Sequence, residues 1–204
     1  MKRYGFLSSG LAFLLGTIVI IVFIALGSQD PRNALSQFFL KPFSSFWHFG
    51  NMLNKTSLLL FASLGSLFAF KCGCFNLGGE GQIYFAGLLT GILLQNTWTE
   101  PVFQLVITGL IVFFASGLIG FISGFFKIKF NADELLTSFL ISAAILPAVN
   151  YLIGNPLRDT SGNLLALPPI ADEFQLKSFL PPSSLNISFI FSLIAVLFFI
   201  VFFA

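Results

Sequence analysis

From Tyr4 to Gln29 the chain carries no charged side chain, and comparable apolar runs recur along its length. Charges punctuate it into six: Gly5–Gly27, Leu53–Phe70, Ile83–Thr97, Val102–Phe126, Leu135–Ile153 and Leu185–Ala204. A helix needs about 20 mostly apolar residues to cross the hydrocarbon core of a bilayer. Only 9% of the residues are charged, and the mean hydropathy is +0.95. A soluble domain carries about a quarter charged residues, so this chain has too little polar surface to face water all round. The runs are apolar on every side, as in "GTIVIIVFIALG" and "FSLIAVLFFIVFFA". Barrel strands would alternate apolar and polar residues instead. The expectation is an all-α membrane protein, a polytopic helical bundle of about six transmembrane segments forming one domain over residues 1–204. The first run follows Lys2 and Arg3 like a signal peptide, but it exceeds a signal core of about 7–15 residues and no Ala-x-Ala-like site closes it. It reads as a retained helix.

The same composition excludes several functions. A net charge of +2 gives no electrostatic case for nucleic acid. One histidine, His48, and two cysteines, Cys72 and Cys74, cannot build an ordinary zinc site. No metal site, catalytic residue or cofactor of the chain's own is expected. His48 stands beside Trp47 and reads as an interface residue. Cys72 and Cys74 read as small residues in a packed turn, because a bridge between them would be strained.

Orientation rests on Lys and Arg near helix ends. With the N-terminus inside, Lys2, Arg3, Lys71, Lys127 and Lys129 fall in short inner connections. Arg32, Lys41, Lys55, Arg158 and Lys177 are spread over longer outer ones, together with Asp30, Glu100, Asp159, Asp172 and Glu173. The N-terminus is therefore expected to be cytoplasmic, and residues 154–184 an outer loop rich in Pro, Asn, Asp and Ser. Ser116, Gly120 and Gly124, and likewise Gly87 and Gly91, recur at four-residue spacing, which lets helix backbones approach closely. The chain ends on "FFIVFFA" without a polar flank, so it is expected to be the N-terminal part of a longer one.

Between the second and third runs stands "FNLGGEGQ", residues 75–82. Segments two and three are short for a crossing, and short segments interrupted by glycine point to broken helices near a transport site. An acidic residue in lipid costs about 2.5–3.5 kcal/mol at mid-helix, so it usually faces a cavity or a partner. On that reading Gly78, Gly79 and Gly81 make a backbone turn, and Asn76, Glu80 and Gln82 line a substrate pathway. A solvent-exposed cytoplasmic turn after Lys71 accounts for the same residues. A phosphate-binding loop is a third reading, without the G-x-x-x-x-G-K-[ST] pattern it needs.

Two further polar places stand out. Asp133 and Glu134 open segment five, where acids suit the helix dipole. They read as a cap with Asn131 nearby, or as a cytoplasmic partner contact. Asn150 and Tyr151, beyond Pro147, mark either a polar pocket or the membrane interface.

"FNLGGEGQ" resembles the F-N-[IL]-G-x-E-G-Q signature of permease subunits of bacterial ABC importers of the ribose/nucleoside type. "ADELLTSFLI" is similar to that family's N-E-V-I-x-T-x-M-L-N-Y stretch, and "VNYLIGNPLRDTSGNLLALPPI" to its V-N-Y-L-x-x-G-P-x-R-D-P-S-G-x-x-x-x-P segment. The matches run in order over most of residues 50–170. The first site is closer to nucleoside permeases than to ribose or galactose permeases, which tend to carry a G-G-I-D-L-S-V-G-like stretch there. Two departures stand out: the family's Asn-Glu is Asp133-Glu134 here, and its Leu-Asn-Tyr is "ISA", which implies a lost polar contact. Family members are substantially longer, with a later cytoplasmic segment that docks the ATPase. The resemblance implies a nucleoside permease of the inner membrane, with a simple-sugar permease or an inactive fragment as alternatives. Its implied partners are an ATP-binding subunit that carries ATP and Mg, a second permease subunit, an extracytoplasmic substrate-binding protein and membrane lipid.

Overall fold

The computed structural model describes residues 2–203, and for residues 2–6 and 9 only the backbone. The side chains of Lys2 and Arg3, and the terminal Ala204, lie outside the described residues. Seven α-helices follow one another, and no strand occurs among the described residues: α1 Lys2–Gly27, α2 Pro31–Phe39, α3 Phe46–Lys71, α4 Gly79–Leu93, α5 Pro101–Phe130, α6 Glu134–Gly154 and α7 Ser188–Phe203. The protein is a helical membrane protein, as the apolar runs imply. Four helices, α1, α3, α5 and α6, are long and apolar enough to cross a membrane. Segment three, expected as a crossing, forms α4, of 15 residues. At 1.5 Å per residue it reaches about 23 Å, short of a hydrocarbon core of about 30 Å. Segment six forms α7, which runs from Ser188 to the last described residue, Phe203. One helix outside the six runs was not expected. α2 starts where Asp30 accepts the N–H of Asn33 at 3.1 Å and Pro31 takes the first helical position.

The chain divides into two compact units, Met1–Ser57 with Ser178–Ile190, and Leu58–Lys177 with Phe191–Ala204. In the first unit, the start of α3 holds the chain ahead of α7 by amides and hydroxyls. Asn51 Oδ1 accepts from the Ser184 amide at 2.9 Å and its hydroxyl at 2.7 Å, and Asn54 Nδ2 donates to Ser184 Oγ at 3.2 Å. Gly50 belongs there for want of space: a Cβ would collide with the buried Ser183 side chain.

The second unit is built on α4, α5 and α6, which pack against one another. Its interior inverts the pattern of a soluble protein. Gln104, Thr108, Ser123, Ser138 and Ser142 are buried, whereas Phe113, Phe114, Leu118 and Phe121 of α5 point outward and exposed. In lipid there is no hydrophobic gain from moving apolar side chains inward, so helices meet through small and polar residues. Gln104 is the extreme case. Its Oε1 accepts the Trp98 N–H at 3.0 Å, and its Nε2 donates to the carbonyls of Leu93 at 2.9 Å and Asn96 at 2.8 Å. One side chain thus satisfies the backbone of the α4–α5 connection, which no water need reach. The expected outer loop occupies Asn155–Ile187, with one 3₁₀ turn at Asp172–Phe174. It rests on the end of α4 through the Ala171 N–H to the Leu94 carbonyl at 2.9 Å. Leu167 lies over Gly91, so close that a Cβ there would stand 2.6 Å from its Cδ1. Asp159 Oδ1 accepts the amide of Ser161 at 2.9 Å and its hydroxyl at 2.6 Å, and these bonds, the hydroxyl first, hold the carboxyl below the usual range.

Candidate functional site

The break between α3 and α4 is Cys72–Gly78. It lies earlier than the glycines alone indicate, and the assignment of Gly78, Gly79 and Gly81 to one turn is corrected. Gly78 is the N-cap of α4, Gly79 is its first residue, and Gly81 lies within its first turn. Glu80 also belongs to that turn, where an acid suits the positive end of the dipole. The left-handed backbone that a glycine permits occurs at Gly73, with φ +73°.

The opening of a helix leaves N–H groups without intrahelical partners, and Gly78 has no side chain to cap them. Other residues do so. Asn76 Oδ1 accepts the Gly78 N–H at 2.7 Å. Ser138 Oγ accepts that of Leu77 at 3.0 Å, and Ser142 Oγ that of Gly81 at 2.8 Å. Ser138 and Ser142 stand one turn apart on α6, and Leu77 and Gly81 four residues apart opposite them, so the serines cap α4 from a neighbouring helix. The glycines let this happen. A Cβ on Gly81 would lie 2.8 Å from Ser142 Cα, and one on Gly78 would lie 3.0 Å from the Ser138 carbonyl. Ser142 is the middle residue of "ISA", and its hydroxyl makes a polar contact to backbone there.

On the other side of α4 the same stretch borders a cleft. Leu58, Phe61, Ala62, Gly65 and Ser66 of α3 face Asn76, Gly79, Gln82 and Ile83 across a volume of about 530 Å³. A smaller cleft of about 360 Å³ shares Ala62, Ser66, Asn76, Gly79 and Ile83 and adds Glu80, Phe70 and Tyr84. Asn76 borders both clefts, Gln82 the larger alone and Glu80 the smaller alone. Asn76 spends its carbonyl on Gly78. Gln82 lies over Gly120 of α5, where a Cβ would come 2.8 Å from its Nε2. Glu80 is exposed. Neither Glu80 nor Gln82 has a side-chain hydrogen bond among the described residues.

Asn150 is not part of this group. It is exposed on α6, two turns beyond Ser142, and lines neither cleft. Asp133 and Glu134 lie at the α5–α6 corner and do different things. Asp133 is the N-cap of α6, its Oδ1 accepting from Leu135 at 2.8 Å and Leu136 at 3.2 Å. Glu134 is buried, and Lys127 donates to its Oε2 at 2.6 Å. Asn131 closes the end of α5 in the left-handed conformation, φ 52° and ψ 31°, which Asn tolerates.

Sequence reasoning missed Ser138, Ser142 and Gln104. The serines carried a signal, a small polar residue at i and i+4 on an apolar helix, of the kind recognised in segments three and four. Gln104 carried only its place, a lone amide one turn into an apolar run.

The sequence pattern of the family described as branched-chain amino acid transport system / permease component matches residues 49–204. Among curated relatives, a probable riboflavin import permease protein of Treponema pallidum (strain Nichols) is 38% identical over 178 residues, 87% of this chain and 47% of that protein. The guanosine ABC transporter permease protein of Bacillus subtilis (strain 168) is 25% identical over 150 residues, 73% of this chain and 43% of that one. A glucose ABC transporter permease protein of Haloferax volcanii is 26% identical over 176 residues, 82% and 45% of the two chains. The chain spans less than half the length of each of these relatives. No solved structure matches it. The match over residues 49–204 takes in the break, the serine caps and the loop after α6, and on it the chain belongs to the branched-chain amino acid transport system permease family.

Proposed function

We propose that this chain is a permease subunit of an ABC importer in the inner membrane, N-terminus cytoplasmic, and that its substrate joins a flat heteroaromatic ring to a polyhydroxylated carbon skeleton, as nucleosides and riboflavin do. ATP would be hydrolysed with Mg on a separate ATP-binding subunit. An extracytoplasmic binding protein would deliver the substrate, and a second permease subunit would complete the pathway. The observation that carries the reading is the recess at the start of α4. The larger cleft there has an apolar wall that includes Phe61 and a rim with Asn76 and the Gln82 amide, and the adjoining smaller cleft shares Asn76 and adds the Glu80 carboxylate. Neutral polyols are recognised by amides and carboxylates, and ring faces by apolar and aromatic walls. The relatives' substrates fit the same description in their printed names, riboflavin and guanosine. A simple sugar is the second reading, favoured by the glucose permease relative. Asn150 would meet the substrate only on a longer path, since it lines neither cleft.

The test is uptake of labelled riboflavin, guanosine and glucose into vesicles that hold this chain with the ATPase, binding protein and second permease encoded beside it. ATP-dependent uptake of riboflavin or guanosine that requires this chain is expected. Glucose uptake alone keeps the importer and replaces the substrate class. No uptake of any of the three overturns the reading.

A further inference from the structure

Residues 31–49, which the transport reading leaves unused, have the makings of a lipid contact. In α2 the apolar residues Pro31, Ala34, Leu35, Phe38 and Phe39 recur at i, i+3, i+4, i+7 and i+8, one face of a helix, and Arg32, Asn33, Ser36 and Gln37 form the other. The apolar face does not end with the helix. Phe38, Phe43, Phe46 and Trp47 are 52%, 67%, 73% and 47% exposed. Trp47 meets His48 edge-on at 4.7 Å, and His48 Nδ1 lies 2.7 Å from Ser45 Oγ, so the pair is held locally and not by another helix. The segment follows directly on α1, which is apolar all round. Its charge is one-sided: it contains Arg32 and Lys41 and no acid. Asp30 just ahead is engaged as the α2 cap, and no salt bridge forms here among the described residues. Ser36, Gln37, Leu40, Lys41 and Ser44 line a cleft of about 300 Å³ on the side where the polar residues gather.

We propose that residues 31–45 are an in-plane membrane anchor whose aromatic face, continued by Phe46 and Trp47 at the start of α3, enters the acyl boundary, and that the cleft at Ser36, Gln37, Lys41 and Ser44 takes the phosphate of an anionic lipid headgroup. A short amphipathic helix binds a bilayer weakly alone, but this one is tethered beside a spanning helix. Tryptophan and aromatic side chains at headgroup depth fit the interface. In the cleft, Lys41 with the Ser36 hydroxyl and the Gln37 amide fits a phosphate, while the Ser44 hydroxyl donates to the Lys41 carbonyl. Arg32 lies outside the cleft and adds positive charge to the same segment, which matches an anionic lipid and would repel a basic partner.

The experiment uses the full chain in nanodiscs of phosphatidylcholine with a quarter phosphatidylglycerol. Lipid retained on release is counted by native mass spectrometry for the wild type, Lys41→Ser and Arg32→Ser/Lys41→Ser. In a Cys72→Ser/Cys74→Ser background, a spin label on Phe43→Cys is compared with one on Asn33→Cys for access to oxygen and to a nickel chelate. Support is retention of phosphatidylglycerol above its bulk fraction, falling about fivefold per basic residue removed. The label at position 43 should then be open to oxygen and closed to nickel, and that at 33 open to nickel. Equal retention of both lipids overturns the headgroup site. Displacement by millimolar inorganic phosphate assigns the cleft to a free anion and overturns the lipid. A label at 43 closed to both quenchers means protein covers the face, which overturns the anchor.

Discussion

Ser142 of α6 accepts the N–H of Gly81 in α4 at 2.8 Å, and a methyl group on Gly81 would stand 2.8 Å from Ser142 Cα. The hydrogen bond and the close approach are one feature. Only a residue without a Cβ brings the open N–H of a helix start within reach of a serine on a neighbouring helix, and only a short side chain fits the gap.

Gly81→Ala is therefore expected to cost about 1–3 kcal/mol, the usual range for overpacking, because backbone must move. Ser142→Ala should cost less, about 0.6 kcal/mol on average for a polar contact between membrane helices and at most about 1.7 kcal/mol. The double change Gly81→Ala/Ser142→Gly should recover part of the Gly81→Ala loss by removing the obstructing side chain. Melting of the purified protein in mild detergent checks the order. A double change no better than Gly81→Ala alone would show that the Ser142 backbone, not its side chain, sets the limit.

Gln104→Leu removes three hydrogen bonds in a fully buried position. The Leu93 carbonyl keeps its bond from Trp98 Nε1, but the Trp98 N–H and the Asn96 carbonyl lose their partner, so the variant should melt below wild type. Phe103→Leu next to it, exposed, should change little. The comparison distinguishes lost hydrogen bonding from a general effect at the α5 start.

The Lys127–Glu134 pair is asymmetric, because Lys127 is 47% exposed and Glu134 9%. Lys127→Met strands a buried carboxylate, whereas Glu134→Gln leaves a lysine that water can reach. The first variant should be the less stable. Asp133→Ala removes the cap of α6 and should cost about 0.5–2 kcal/mol. If Asp133→Ala abolishes ATPase coupling at unchanged melting temperature, the corner is a partner contact as well as a cap.

Glu80→Ala should reduce uptake several-fold in a complete transport complex while insertion and melting stay unchanged. Its carboxylate is exposed at the cleft and bonds to nothing among the described residues. Unchanged uptake would remove Glu80 from the pathway.

Asp159 sets a pH dependence in the loop after α6. Its folded carboxyl titrates below the ordinary value because Ser161 donates to the charged form. Its contribution is complete above the unfolded carboxylate range, and so at neutral pH, and is lost as pH falls through the lower folded value. Protection of the Ser161 amide, its exchange rate relative to the intrinsic rate at the same pH, should fall only on acidification through that value. Ser161→Ala should raise the carboxyl toward its ordinary range.

Much of this molecule was legible in residue order alone. Long uncharged runs admit only helices in lipid, because every backbone group there must be satisfied within its own segment. Asp133 as a cap also follows from local sequence, since a cap involves neighbours. So does the shortness of segment three, which becomes α4, because Gln95, Asn96 and Thr97 close it. The start of α7 was not legible, because Asn186 caps the backbone of Ser188 inside an apolar run that opens at Leu185. Nor was the purpose of Gly81, which depends on a residue 61 positions away. Lipid as solvent and the short reach of a cap are written into residue order, so the helical membrane class and the Asp133 cap could be read there. Which glycine turns the backbone and which lets a neighbour approach, and that the serines of α6 cap α4, follow from helices meeting in three dimensions, because small residues look alike in sequence until another helix stands against them.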